Sequence, residues 1–414
     1  MVSTSLHSYH CLTLSLLLLP PLLFTTYFLS AFPKPPEKLF LHPSLASLPK
    51  DTRSWTIYPE DFYSGGGYAE FPSGKVRYWL LGPESGKKIV LIHGLSIPAI
   101  VWKDVAPALA SNGYRVLLYD LYGRGYSDAP DTIYDTKLYT TQLALLMQYL
   151  NWGKANIVGV SMGGAIAATF TAQFPHLVDE GVALIACAGL MESSDISRTA
   201  KFMSSPLVRT LASSRPVRVS LSFHSAYASK SASGAGARLF RLTPSAYLQH
   251  LTNQTVTNSK GGVDDDSAIL EIVRLQSAHL PGYNHALSSS LRDGPIRGQA
   301  HAFRSPGFWG KRVLIMHGTR DRTVESKYAG RIEALLMDGD DEDKSTSTSA
   351  SVGLKESEKQ HAFSTSSPAE GRRGRVKTRK VMIQGGGHDL TVSHPEDVVR
   401  LLGELVDGRG KWGL

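Results

Sequence analysis

Asn156-Ile157-Val158-Gly159-Val160-Ser161-Met162-Gly163-Gly164-Ala165 is the stretch that decides the fold. An apolar, β-prone run ends in Gly-x-Ser-x-Gly and passes into a small-residue segment that reads as a helix through Gln173. Strand, sharp turn and helix with a serine at the tip is the context of a presented nucleophile. The spacing of the glycines has a steric reason. A serine at a positive-φ turn brings the strand against the helix, so Cβ atoms two residues to either side, at Gly159 and Gly163, would collide with neighbouring backbone. The same turn leaves the Met162 N–H unpaired at a helix N-terminus, where a developing negative charge is stabilised.

Outward from this turn, apolar strands alternate with helical patterns. Tyr68–Phe71 and Val76–Leu81 read as a hairpin, and Lys88–Ile92 as a buried strand ending in His93-Gly94. A helix around Trp102–Ser111, a strand over Tyr114–Asp120 and a helix over Asp135–Leu150 lead to the serine strand. Val182–Ala186, Arg312–Gly318 and Lys380–Ile383 supply further strands, with helices at Val324–Met337 and Pro395–Val406. Buried strands separated by helices predict an α/β fold with a mostly parallel sheet covered on both faces. The alternation stops at 190–305, which reads as a helical cap with patches at Ala246–Leu251 and Ala268–Ala278. The core is expected in two parts, 55–189 and 306–414. The second is interrupted at 338–379, whose segregated charge and scarce apolar residues predict a disordered loop.

Residues 1–33 contain no Asp, Glu, Lys or Arg, and Leu12–Phe32 is apolar over a length that suits a bilayer. The expectation is an N-terminal membrane anchor followed by a linker over 34–54, on the endoplasmic reticulum or a lipid droplet. A cleaved signal peptide and secretion form the competing reading, which the missing basic n-region disfavours. Pro20-Pro21 would kink a helix there. The net charge of +8 is concentrated in 190–262, which holds nine lysines and arginines against two acids. With no aromatic or motif support beside those residues, nucleic acid is not an expected partner. Anionic lipid or a solvated surface accounts for the charge. Two cysteines, Cys11 and Cys187, lie too differently in the pattern to pair. No metal-ligand spacing, phosphate loop or dinucleotide fingerprint occurs, so neither a metal nor a cofactor is expected.

Chain order carries the functional argument. Ser161 follows one strand, Asp321 follows His317-Gly318-Thr319-Arg320, and His388 follows the last strand within Gly385-Gly386-Gly387-His388. With His93-Gly94-Leu95 and Asp120-Leu121-Tyr122-Gly123-Arg124-Gly125-Tyr126-Ser127-Asp128, these stretches resemble the α/β-hydrolase superfamily over roughly 65–190 and 311–406. The likeness is to its capped serine esterases and lipases, including monoacylglycerol-lipase-like and small-molecule hydrolases.

That resemblance implies Ser161 as nucleophile, His388 as base and Asp321 as the acid that orients it. It also implies backbone N–H groups of Leu95 and Met162 as the oxyanion hole. Asp195 competes for the role of acid and His394 for that of base. His93, His317, Arg124 and Asp128 read as scaffold, with His93 bracing the oxyanion loop. Serine at the elbow disfavours epoxide hydrolases and haloalkane dehalogenases, which use aspartate there. The expected activity is cleavage of carboxylic esters of lipid or other apolar acyl groups through an acyl-enzyme, with transfer to another alcohol as a competing fate. Two alternatives are a cap-gated hydrolase of small soluble esters, amides or C–C substrates, and a binding protein without turnover.

Overall fold

The computed structural model describes residues 3–31, 39–195, 263–338 and 375–413. The chain divides into two compact units, Met1–Phe40 and Leu41–Leu414. The first contains one helix, Ser3–Ala31, with Pro20 and Pro21 inside it. Its side chains are described over 13–28 and are exposed. The expected membrane-spanning anchor is not supported: among the described residues no helix is long and apolar enough to cross a membrane. Pro20 and Pro21 stand in the middle of its apolar stretch, where they remove backbone donors.

In the second unit the strands are β1 (Leu41–His42), β2 (Gly66–Phe71), β3 (Gly74–Leu81), β4 (Lys88–Ile92) and β5 (Arg115–Tyr119), then β6 (Ala129–Pro130), β7 (Ala155–Val160), β8 (Val178–Ile185), β9 (Arg312–Gly318) and β10 (Lys377–Ile383). Eight of them form one sheet in the order β10-β9-β8-β7-β4-β5-β3-β2. From β10 to β5 neighbours run parallel, while β3 pairs antiparallel with both β5 and β2.

Alternation along the buried strands supplies two cores. Val90 and Ile92 face one layer, packed with Leu143, Ile166, Phe170 and Ile332. Ile89 and Leu91 face the other, packed with Val105, Leu109, Leu401 and Leu405. Helices Thr136–Tyr149, Met162–Gln173 and Lys327–Asp338 therefore cover one face, and Val105–Ser111 and Pro395–Asp407 the other. At 25 cal/mol per Å² of apolar surface, full burial of each such side chain contributes about 1.5–3 kcal/mol. Asn156 stitches the serine strand to both neighbours: its Nδ2 donates to Lys88 O at 3.1 Å and its Oδ1 accepts from Gly181 N at 2.9 Å.

Several expectations are corrected. Residues 41–54, read as linker, lie against the core: β1 pairs with β6, and Leu45 is fully buried. β8 begins at Val178, four residues before the apolar run, because the side chain of Glu180 is held by Arg312 at 2.6 Å and Gly181 by Asn156. β10 takes in Lys377-Thr378-Arg379 from the expected loop. It is the sheet edge, where Lys377 is exposed and Arg379 and Lys380 pair with Glu404 and Glu333.

The cap helix expected at Ala268–Ala278 runs from Val263 to His279. A second helix, Pro281–Asp293, follows it. The Ala246–Leu251 patch, most of the basic 190–262 segment and residues 339–374 lie outside the described residues. Cys187 is a free, buried thiol.

Candidate active site

The parallel strands deliver the singled-out residues to one edge of the sheet, where their C-terminal ends lie. Ser161 follows β7 with φ 56° and ψ −120°, a left-handed conformation uncommon for a residue with a Cβ. Three hydrogen bonds hold it there. Its N–H donates to Ile185 O at 2.9 Å, and its carbonyl accepts from Gly164 N at 3.0 Å and Ala188 N at 3.1 Å. The flanking glycines are sterically required. A Cβ on Gly159 would stand 2.0 Å from Gly163 O, and one on Gly163 would stand 2.3 Å from Ile92 O.

The Gly94-Leu95 loop, expected to carry an oxyanion donor, lies directly against the serine. A Cβ on Gly94 would meet Ser161 Cβ at 3.3 Å and Oγ at 3.7 Å. His93 is fully buried and fixes the next peptide. Its Nε2 accepts from Leu121 N at 2.9 Å, so Nδ1 carries the proton and donates to Gly94 O at 2.9 Å. In a trans peptide N–H and C=O point opposite ways. Holding Gly94 O therefore turns the Leu95 N–H away from His93. Among the described residues neither Leu95 N–H nor Met162 N–H donates to another protein group. Burial, with a smaller contribution from the Arg124 charge, lowers His93 to about 3 and keeps it neutral. Both its ring nitrogens are engaged with backbone groups of the two neighbouring loops.

Asp321 and His388 meet across the loops that follow β9 and β10. His388 Nδ1 lies 2.8 Å from Asp321 Oδ2. The carboxylate is held from behind: Oδ1 accepts from Thr323 N at 2.8 Å and Val324 N at 2.9 Å, and His317 Nε2 stands 3.3 Å from Oδ2. Burial acts to raise the Asp321 pKa, but the two histidines outweigh it and hold the carboxyl well below the usual range. Burial acts to lower His388, and Asp321 more than offsets this, so the ring is raised above its ordinary value. Among the described residues His388 Nε2 and Ser161 Oγ make no hydrogen bond to another protein group.

The competing residues are engaged elsewhere. Asp195 accepts from the Tyr328 hydroxyl and from Glu192 N, with Lys327 Nζ at 3.6 Å. His394 is bonded to Ser393 Oγ at 2.8 Å at the start of the last helix. Asp128, expected as scaffold, accepts from Lys75 N at 2.8 Å and ties its loop to the hairpin. Sequence reading missed the part played by Asp120. Fully buried, it accepts from Ala99 N at 2.9 Å, Tyr126 N at 2.8 Å and the Tyr58 hydroxyl, fixing the end of the oxyanion loop. Burial pushes it up to about 6 against these donors. Among the described residues no group of three or more metal-ligating side chains occurs.

A family model described as the alpha/beta hydrolase fold matches residues 87–338. The chain belongs to the alpha/beta hydrolase fold family. An uncharacterized protein of Mycobacterium bovis is 36% identical over 112 residues, a match covering 27% of this chain and 32% of that relative. The chain thus matches about a third of that relative's length. Among solved structures, a membrane phospholipase A described as a bacterial virulence factor has a TM-score of 0.55 at 20% identity, covering 83% of this chain and 86% of that one. A putative lipase from Acinetobacter baumannii has a TM-score of 0.53 at 17% identity, covering 88% of this chain and all of that one. At these identities the structural likeness concerns the fold of an alpha/beta hydrolase.

Proposed function

We propose that this alpha/beta hydrolase is a serine hydrolase cleaving carboxylic esters of lipid or other apolar acyl groups. The observation that carries the reading is the buried Asp321–His388 pair, which follows strands β9 and β10 at the sheet edge where the elbow serine follows β7. Ser161 Oγ attacks the ester carbonyl carbon while His388 Nε2 takes its proton, and Asp321 stabilises the imidazolium. The carbonyl oxygen becomes an oxyanion received by the Leu95 and Met162 N–H groups. Where such a donor has been removed elsewhere, its loss costs about 3 kcal/mol. His388 then gives the proton to the departing alcohol. Water, deprotonated by the same nitrogen, releases the acid and restores Ser161.

The preference for apolar acyl groups is supported by the helix Ser3–Ala31, whose described side chains over 13–28 are exposed and mostly apolar. It is also supported by the folds shared with a membrane phospholipase A and a putative lipase. Attachment to a membrane surface through that helix is part of the proposal. Hydrolysis of p-nitrophenyl esters from acetate to palmitate, alongside monoacylglycerols, tests it. The proposal expects kcat/KM to rise with acyl length and monoacylglycerols to be cleaved. Turnover of short soluble esters alone would remove the lipid half and leave the cap-gated small-ester reading.

A further inference from the structure

Arg124 is 1% exposed, and among the described residues it pairs with no carboxylate. A buried cation without an anion is costly unless hydrogen bonds satisfy its N–H groups. Its hydrogen bonds reach three separate elements. Nε donates to Leu95 O at 2.9 Å, one terminal nitrogen donates to Tyr122 O at 3.0 Å and to the Tyr139 hydroxyl at 2.6 Å, and the other donates to Ser290 Oγ at 2.9 Å.

Donor directions in this cluster follow from its acceptors. Ser290 Oγ donates to Ala286 O at 2.6 Å, so it accepts from Arg124 and from Tyr139, whose hydroxyl lies 2.6 Å away. Tyr139, having spent its proton on Ser290, accepts from Arg124. The chain of bonds is fully ordered and ends on a backbone carbonyl of the cap helix Pro281–Asp293. Beside it, Tyr283 from that helix donates to Ser96 O at 3.0 Å, and Gln276 Oε1 in the preceding helix accepts from Gly125 N at 2.7 Å.

Leu95 is thus held on both sides. The carbonyl before it, in the same peptide plane as its N–H, is fixed by His93, and its own carbonyl in the next plane is anchored by Arg124, so the position of the residue that carries the N–H depends on where Arg124 sits. Arg124 is placed in turn by Ser290. We propose that Arg124 is a positioning residue that couples the seating of the cap helix Pro281–Asp293 to the Leu95 oxyanion donor. A cap that lifts drags the guanidinium, and with it the donor, out of register. The inference rests on the ester-hydrolase reading for its kinetic consequence and on geometry alone for its structural one.

The test uses the full chain with Arg124→Met, Ser290→Ala and Ser290→Thr. A fluorophosphonate places its phosphoryl oxygen in the oxyanion hole, so its limiting labelling rate reports the hole and its half-saturation reports binding. Ser290→Ala is expected to slow the limiting rate about ten-fold with half-saturation unchanged. Arg124→Met is expected to slow it on the order of a hundred-fold, the effect of losing one oxyanion donor. Ser290→Thr, which keeps the hydroxyl, should restore the wild-type rate. Hydrogen exchange at 94–100 should quicken in Ser290→Ala and not in Ser290→Thr. If Ser290→Ala labels at the wild-type rate or exchanges like wild type at 94–100, the coupling is refuted, and this holds even if Arg124→Met does not fold. If the wild type is not labelled at all, the ester-hydrolase reading fails, and the exchange comparison decides the coupling by itself.

Discussion

Asp321→Asn removes one charge and changes one atom from acceptor to donor, so its effect can be worked out bond by bond. Asp321 Oδ1 accepts from two backbone N–H groups, while Oδ2 faces His388 Nδ1 at 2.8 Å and His317 Nε2 at 3.3 Å. Asparagine has one oxygen. To keep the turn at Thr323 and Val324, that oxygen must remain on their N–H groups, which turns the amide NH2 toward His388. Two donors then face each other unless His388 takes the other tautomer, with Nδ1 accepting and Nε2 carrying the proton. In that tautomer Nε2 cannot receive the serine proton.

The same wrong-tautomer substitution in a serine protease triad lowers kcat by about 10⁴, or about 5–6 kcal/mol in the barrier, and a loss of this order is expected here. Steady-state hydrolysis of a p-nitrophenyl ester measures it, with a melting curve to show that the variant is folded. The pH profile adds a signed check. Activity requires neutral His388, so kcat/KM rises with pH through a pKa that Asp321 holds above the ordinary 6.5. Without the carboxylate, any residual activity should rise at lower pH. A folded Asp321→Asn protein with kcat within ten-fold of wild type would refute the relay.

Three further outcomes follow from the geometry. Gly163→Ala puts a Cβ 2.3 Å from Ile92 O and 2.5 Å from His93 O, both backbone atoms. It should cost about 3 kcal/mol or more in urea unfolding. Asp195→Asn should leave kcat/KM unchanged, because Asp195 serves Tyr328 and Lys327, and a large loss would reopen the choice of acid. His93 takes up a proton near 6.5 when unfolded and near 3 when folded, so the unfolded state binds more protons in between. Its contribution is present above 6.5 and lost as pH falls toward 3, by about 5 kcal/mol in all. Unfolding followed from pH 7 to 3 should show a shallower acid loss in His93→Gln than in wild type.

What was legible in the sequence was what is local or periodic. The elbow is encoded within ten residues: a Cβ on Gly159 would meet Gly163 O within the turn, and one on Gly163 would meet the adjacent strand at Ile92 and His93. Strands buried on both faces announce themselves as apolar runs, and Asp321 stands just beyond one of them, β9, while His388 follows the apolar end of the edge strand β10. The bracing network was not legible, since Arg124 and Ser290 are 166 residues apart and nothing near either one names the other. The helix Pro281–Asp293 escaped because its buried face includes Ser289 and Ser290, which are held by hydrogen bonds and not by apolar contact. The start of β10 escaped because an edge strand can afford lysine and arginine where a central strand cannot.

The central claim is that Ser161 is the nucleophile, and covalent labelling tests it most directly. Wild type and Ser161→Ala are incubated with a fluorophosphonate probe, and the modified peptide is identified by mass spectrometry. The account predicts stoichiometric labelling of the wild type on Ser161 and none of the variant. Equal labelling of the two, or modification at another residue, would contradict it.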